Sequence, residues 1–158
     1  MEARKIITEN SQGSLMSQIL RKRIMDHEGF VDSVYLDTEK KATIGYGHLV
    51  TKEDNFVEGV KYKEKELRQL FYKDIEKAET GADQIIGHIK ELHPEARNVI
   101  IEMVYQLGTT GVRRFSKLLL ALEDGDYKKA GDEMIDSRWH QQTTRRCESL
   151  AGIMKECS

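Results

Sequence analysis

Three side chains raise the question of chemistry: Glu28, Asp37 and Thr43, separated by eight and by five residues. Glu28 closes a stretch with helical spacing, and the negative end of a helix dipole disfavours a charged carboxylate there. A carboxyl group that keeps its proton is what a general acid requires. Asp37 stands at the mouth of a polar turn, where water supports a carboxylate. Thr43 lies on the strand that returns from that turn. An acid, a carboxylate and a hydroxyl able to hold water are the parts of a hydrolytic site. Each taken alone also fits a plain helix end, turn or strand, so the combination carries the weight.

Other chemistries find less support. His27, His48, His88, His93 and His140 are scattered, and His27-Glu28-Gly29-Phe30 lacks the second histidine of a zinc-protease helix. Gly45-Tyr46-Gly47 lacks the third glycine of a dinucleotide loop. No serine or cysteine has the surroundings of a nucleophile elbow. No metal and no cofactor is expected. Arg113, Arg114, Arg145 and Arg146 read first as a solvated basic face.

The elements that must position these residues follow from periodicity. Leu15, Ile19, Ile24 and Met25 among Arg21, Lys22 and Arg23 predict an amphipathic helix from Ser14, its cap, to about Glu28, stopped by Gly29. Residues 1–13 read as a loose leader or a poorly anchored first helix. Val34-Tyr35-Leu36 and Ala42-Thr43-Ile44 around a polar turn predict a hairpin with room for a third short strand. Leu67, Leu70, Phe71, Ile75, Ala78, Ala82, Ile85, Ile86 and Ile89 predict a long helix, with a break expected at Thr80-Gly81. Pro94 suits the first turn of the next helix. Its Val99–Leu107 stretch is apolar nearly all round and belongs at the centre of a helical core, with Gly108 and Gly111 as its end. Phe115, Leu118, Leu119 and Leu122 mark another helix closed by Gly125. Tyr127 to Asp136 is a further one, and a last helix starts near Thr143. The fold class is α+β and mostly helical: a small N-terminal lobe joined by a long helix to an all-helical lobe, with a cleft expected between them.

Two groups of motifs carry a family resemblance. His27-Glu28-Gly29-Phe30, Tyr35-Leu36-Asp37-Thr38 and Thr43-Ile44-Gly45-Tyr46-Gly47-His48 resemble the catalytic region of the T4-type phage lysozymes. Downstream, Met103-Val104-Tyr105-Gln106-Leu107-Gly108, Thr110-Gly111-Val112, Phe115 and Ser137-Arg138-Trp139 with Gln142-Thr143 resemble the same family's C-terminal lobe. The resemblance covers about residues 18–150. It implies the T4 lysozyme-like fold as a single domain over 18–158, with an N-terminal lobe over about 18–62, a connecting helix over about 63–80 and a helical lobe over about 81–158; residues 1–17 are expected as a leader without a counterpart in the family.

The resemblance also implies roles. Glu28 would be the acid, and Asp37 with Thr43 would hold the attacking water, which implies inversion at the anomeric carbon. Arg146 resembles the family arginine that reaches across to this glutamate, and Gly47 is a supporting residue. Leu49, Tyr105, Leu118 and Glu133 match substrate-lining positions, and His48 with Asp74 matches a structural ion pair. The implied activity is that of a muramidase acting on the β-1,4 link from N-acetylmuramic acid to N-acetylglucosamine. The alternatives are a lytic transglycosylase and a catalytically inactive peptidoglycan-binding module.

Composition sets limits on these readings. The chain has 158 residues, 25 basic against 27 acidic. A chain of this length buries roughly two thirds of its unfolded surface, enough for a core without staples. A net charge of −2 argues against attachment to nucleic acid or an anionic membrane by bulk charge. It also implies weak steering toward an anionic wall polymer. There is no run of 18 apolar residues for a membrane helix. The polar stretch Met1 to Ser14 has no apolar core of a secretory signal, so synthesis in the cytoplasm and action on the cell wall after release are expected. Cys147 and Cys157 are expected as free thiols. A monomer meeting glycan strands suffices.

Overall fold

The computed structural model describes the backbone of residues 2–158 and the side chains of residues 15–158. In chain order the elements are α1 (Glu2–Glu28), β1 (Val31–Leu36), β2 (Ala42–Gly45), β3 (His48–Leu49), a single 3₁₀ turn (Lys52–Asp54), α2 (Glu64–Ile86), α3 (Pro94–Arg113), α4 (Ser116–Glu123), α5 (Tyr127–Ile135), α6 (Arg138–Gln142) and α7 (Thr144–Glu156). They form two compact units, residues 1–75 and 76–158. No helix among the described residues is long and apolar enough to cross a membrane.

In the first unit, three strands form an antiparallel sheet in the order β1-β2-β3. So small a sheet needs a helix beneath it. Ile44 of β2 is buried, as are Leu67, Phe71 and Ile75 of α2. Tyr46, in the turn between β2 and β3, lies between Phe30 and Phe71, with ring centroids 5.0 and 5.2 Å away. Its phenol donates to Glu64 Oε1 at 2.8 Å. That bond and the two ring contacts fix the Gly45-Tyr46-Gly47 turn. The Arg21 guanidinium of α1 sits over the Tyr72 ring of α2, 4.6 Å from its centroid. The sheet register is irregular. Val31 faces Gly45, whereas Tyr35 faces Thr43 and Leu36 faces Ala42, so β1 carries two more residues than β2 over that stretch. Such a bulge bends its strand and re-aims the side chains beyond it. The Asp32 carbonyl in the bulge accepts from Tyr62 N at 2.9 Å.

The second unit is helical. Along α3, Val99, Ile100, Ile101, Met103 and Val104 are all buried, as expected for a helix with neighbours on every side. Helix α5 packs on α4 and α7, and α7 packs on α3. Both thiols are free and buried. Burial, then Glu148, pushes the Cys147 thiol up to about 11, so it is a packing group rather than a nucleophile.

Three expectations are corrected. Helix α1 begins at Glu2, so Ser14 lies inside a helix rather than capping one. Helix α2 is continuous through Thr80-Gly81, and no separate shorter helix follows a break there. Gly81 is a packing residue: a β-carbon on it would overlap Thr109 Oγ1 and lie 3.1 Å from Val104 Cγ1. Gly108 does end the helical stretch that carries Val99–Leu107, as expected, but Gly111 lies within a second stretch of α3 rather than at its end. Gly108, at φ 78° and ψ 163°, is a kink between two helical stretches, and the second runs on to Arg113. Pro94 does occupy the first turn of α3.

Candidate active site

Glu28 is the last residue of α1. Gly29, at φ +72°, stops the helix in the left-handed conformation that glycine adopts without strain. Its N–H returns to Met25 O at 2.9 Å. The Glu28 side chain lies against Gly47, which has φ +78°; a β-carbon there would overlap Oε1 and stand 2.9 Å from Cδ. The absence of a side chain at position 47 therefore makes the seat for the carboxyl group.

Asp37 follows β1 directly. Its Oδ1 accepts from Glu39 N at 2.9 Å and from Lys41 N at 2.8 Å. Its backbone N–H donates to Lys41 O at 2.9 Å, and its carbonyl accepts from Lys40 N at 2.9 Å. Lys40 takes φ +63° at the tip. One carboxylate oxygen thus organises the hairpin loop, a common use of aspartate in turns, and Oδ2 is the oxygen left for a ligand. Thr43, on β2, is buried at 3% exposure. Its hydroxyl donates to Lys41 O at 3.0 Å, which leaves the oxygen's lone pairs as its recognition face.

Tyr35 ties these groups together. It stands opposite Thr43 in the ladder. Its phenol is held above its ordinary range, first by burial, then by the charge of Glu28, then by that of Asp37. Both carboxylates therefore act on one ring. Tyr35 was visible in the sequence only as part of a motif. Its signal was its place two residues before Asp37, on the same strand face.

His48, which follows Gly47 at the start of β3, holds a cluster of its own. Its Nδ1 meets Asp74 Oδ2 at 2.6 Å and its Nε2 meets Asp54 Oδ2 at 2.7 Å. The expected pair is therefore a trio. Asp54 Oδ2 also accepts from Thr51 N at 2.8 Å, which closes the 3₁₀ turn. Burial alone would lower the His48 pKa, but the hydrogen bonds to Asp74 and Asp54 raise it overall. For Asp54, burial pushes up while the Thr51 N–H and His48 pull down, and the net shift is down. Asp54 had no sequence signal, because nothing in its type or spacing distinguishes it from its acidic neighbours.

The remaining expected residues are divided between the two units. Leu49 on β3 is half exposed at 51% and faces Thr43 across the ladder. The other four lie in the second unit. Tyr105 is half-buried on α3. Leu118, expected in a substrate wall, is buried at 0% and is among the residues that line a cavity. That cavity, of about 660 Å³, is also lined by Glu133, Phe115, Trp139, Arg114 and Arg138. Trp139 is held by Nε1 donating to Gln106 Oε1 at 3.0 Å and by an edge contact with Phe115. Arg146 on α7 donates from Nε to Glu102 Oε2 at 2.9 Å, with the Glu102 side chain wholly buried. Glu102 went unrecognised, as a lone acid in an apolar helix offers no pattern.

Residues 25–155 match the family model described as phage lysozyme. The chain belongs to the phage lysozyme family. The match includes Glu28, Asp37, Thr43, Gly47 and His48. Among relatives, the chain is 28% identical over 171 aligned positions to the pre-baseplate central spike protein Gp5 of Enterobacteria phage T4. That alignment takes in 95% of this chain but 29% of the spike protein. Probable T4-type lysozyme 2 of Dictyostelium discoideum is 26% identical, with 89% of this chain and 95% of that protein covered. Probable T4-type lysozyme 1 of the same organism is 29% identical, at 81% and 88%. The phage lysozyme region is thus similar both to free-standing proteins and to a part of a larger one.

Proposed function

We propose that this chain is a peptidoglycan hydrolase of the N-acetylmuramidase type. It cleaves the β-1,4 bond between N-acetylmuramic acid and N-acetylglucosamine, with inversion. The observation that carries the reading is the pairing of two carboxyl groups around Tyr35, one seated on Gly47 and the other held at a turn beside the Thr43 hydroxyl. Family membership supplies the substrate class.

The chemistry balances as one displacement. Glu28 gives its proton to the glycosidic oxygen as the bond from C1 to that oxygen breaks. A water held by Asp37 Oδ2 and Thr43 Oγ1 attacks C1 from the opposite face and loses a proton to Asp37. An acid and a base on opposite faces, with room for a water, give inversion. No metal or cofactor takes part in these steps. The product has a new reducing end on muramic acid. In the cell this activity opens the wall, and the protein meets glycan strands as its partner after release from the cytoplasm.

The test is digestion of purified peptidoglycan by the wild type and by Glu28→Gln, with mass spectrometry of the fragments and proton NMR of the first-formed anomer. Reducing muramic acid ends from the wild type, with the α-anomer formed first, are expected. Glu28→Gln should lose at least about 100-fold in kcat. Anhydro ends alone from the wild type would make it a transglycosylase. Binding without release would make it a wall-binding module.

A further inference from the structure

Tyr35 completes a face of the hairpin that the hydrolytic reaction needs and that Asp37 and Thr43 leave incomplete. Its α-carbon stands opposite that of Thr43, and directly opposed residues share a face. Asp37 follows two positions later, the period of one strand face. The phenol is half-buried. The charged groups acting on it are Glu28 from the end of α1 and Asp37 from the turn. Partial burial and the Asp37 carboxylate keep its hydrogen in place through the neutral range, also while Glu28 holds its own proton. Among the described residues no hydrogen bond uses that hydrogen.

A water attacking an anomeric carbon spends one lone pair on the carbon. Its two hydrogens need acceptors, and Asp37 Oδ2 and Thr43 Oγ1 are both acceptors, since Thr43 gives its own hydrogen to Lys41 O. The second lone pair of the water needs a donor. We propose that Tyr35 is that donor: its phenol O–H binds the attacking water, which is then held at three points with one lone pair aimed at the sugar. Tyr35 keeps its proton throughout, and the proton that leaves the water goes to Asp37. This assignment rests on the hydrolase reading above.

The test compares wild type, Tyr35→Phe and protein carrying 3,5-difluorotyrosine at position 35 on purified peptidoglycan. Fragments are counted as reducing or anhydro ends. Reducing ends from the wild type secure the hydrolase reading before any variant is read; their absence removes that reading and this one with it. With that secured, Tyr35→Phe should keep its melting temperature and KM and lose roughly 10- to 100-fold in kcat. The fluorinated phenol has nearly the same shape but loses its proton sooner, so kcat should fall at a lower pH than in the wild type. Wild-type kcat in Tyr35→Phe overturns the proposal. So does a raised KM at constant kcat, which would make Tyr35 a substrate contact. An unmoved alkaline limb in the fluorinated protein also overturns it, and that protein alone decides the matter if Tyr35→Phe folds poorly.

Discussion

The Glu28 carboxyl group rests on the α-carbon of Gly47, in space that a single methyl group would occupy. The acid is therefore aimed from two sides: by the end of α1 that carries it and by a turn 19 positions further on, held by Tyr46 between Phe30 and Phe71.

Gly47→Ala tests this seat. The methyl group displaces the carboxyl, and the positive φ adds strain of about 1–2 kcal/mol. The expected outcome is a kcat reduced by roughly 100-fold, with a melting temperature lowered by a few degrees. Steady-state kinetics alongside a thermal melt checks it. Unchanged turnover would show that the carboxyl can act from another position.

Asp37 divides its two oxygens between loop and water, so two substitutions separate the duties. Asp37→Asn keeps an oxygen acceptor for the Glu39 and Lys41 N–H groups but no base. It should melt like the wild type and lose activity by about 100-fold or more. Asp37→Ala loses both duties and should cost about 1–3 kcal/mol in addition. Equal stabilities in a denaturant titration of the two variants would contradict the division.

His48 sets a pH window for stability. Its pKa is raised in the folded chain, above the ordinary value near 6.5. Its contribution is then complete below that ordinary value and fades as pH rises through the folded one. Asp54 is shifted down, so its contribution is present above the ordinary value near 3.9 and lost as pH falls through the folded one. Denaturation midpoints should form a plateau between these two limbs. His48→Asn leaves Asp54 and Asp74 facing each other across a partly buried site, at a cost on the order of 3 kcal/mol. The alkaline limb should vanish while turnover per folded molecule stays. Loss of turnover at wild-type stability would assign His48 to the reaction instead.

Glu102 and Arg146 form the buried pair of the second unit. Removing Glu102 takes from Arg146 a charge-assisted hydrogen bond in a buried setting, so Glu102→Leu should cost about 3–5 kcal/mol. Glu102→Leu with Arg146→Met should recover much of that loss. A double-mutant cycle measured by chemical denaturation gives the coupling, and a cycle that sums to zero would show that the pair is not the source of the cost.

Much of this arrangement was legible in the residues. The period-2 runs on either side of Asp37–Lys41 and the helical spacing of the apolar residues place Glu28, Asp37 and Thr43 where the chain holds them. These signals are local and repeat at fixed intervals. Glycine was harder to read. A glycine that ends a helix and one that lets another helix approach look alike: Gly29 does the first and Gly81 the second, and the positive φ of Gly29 and the Thr109 and Val104 side chains beside Gly81 distinguish them. Asp54 and Glu102 escaped for a related reason. Asp54 meets His48 six positions before it and Glu102 meets Arg146 44 positions after it, and neither separation belongs to a helix or strand period.

The bulge in β1 gives the hairpin a tolerance that depends on parity. Because the surplus over β2 is two residues, an even number, the side chains before and after it keep their faces. Removing one residue from 32–34 would turn either the Val31 end or the Tyr35 end to the opposite side. Removing two would straighten the strand and leave both ends facing as they do now. In a deletion library across this segment, survivors should therefore fall on the even counts.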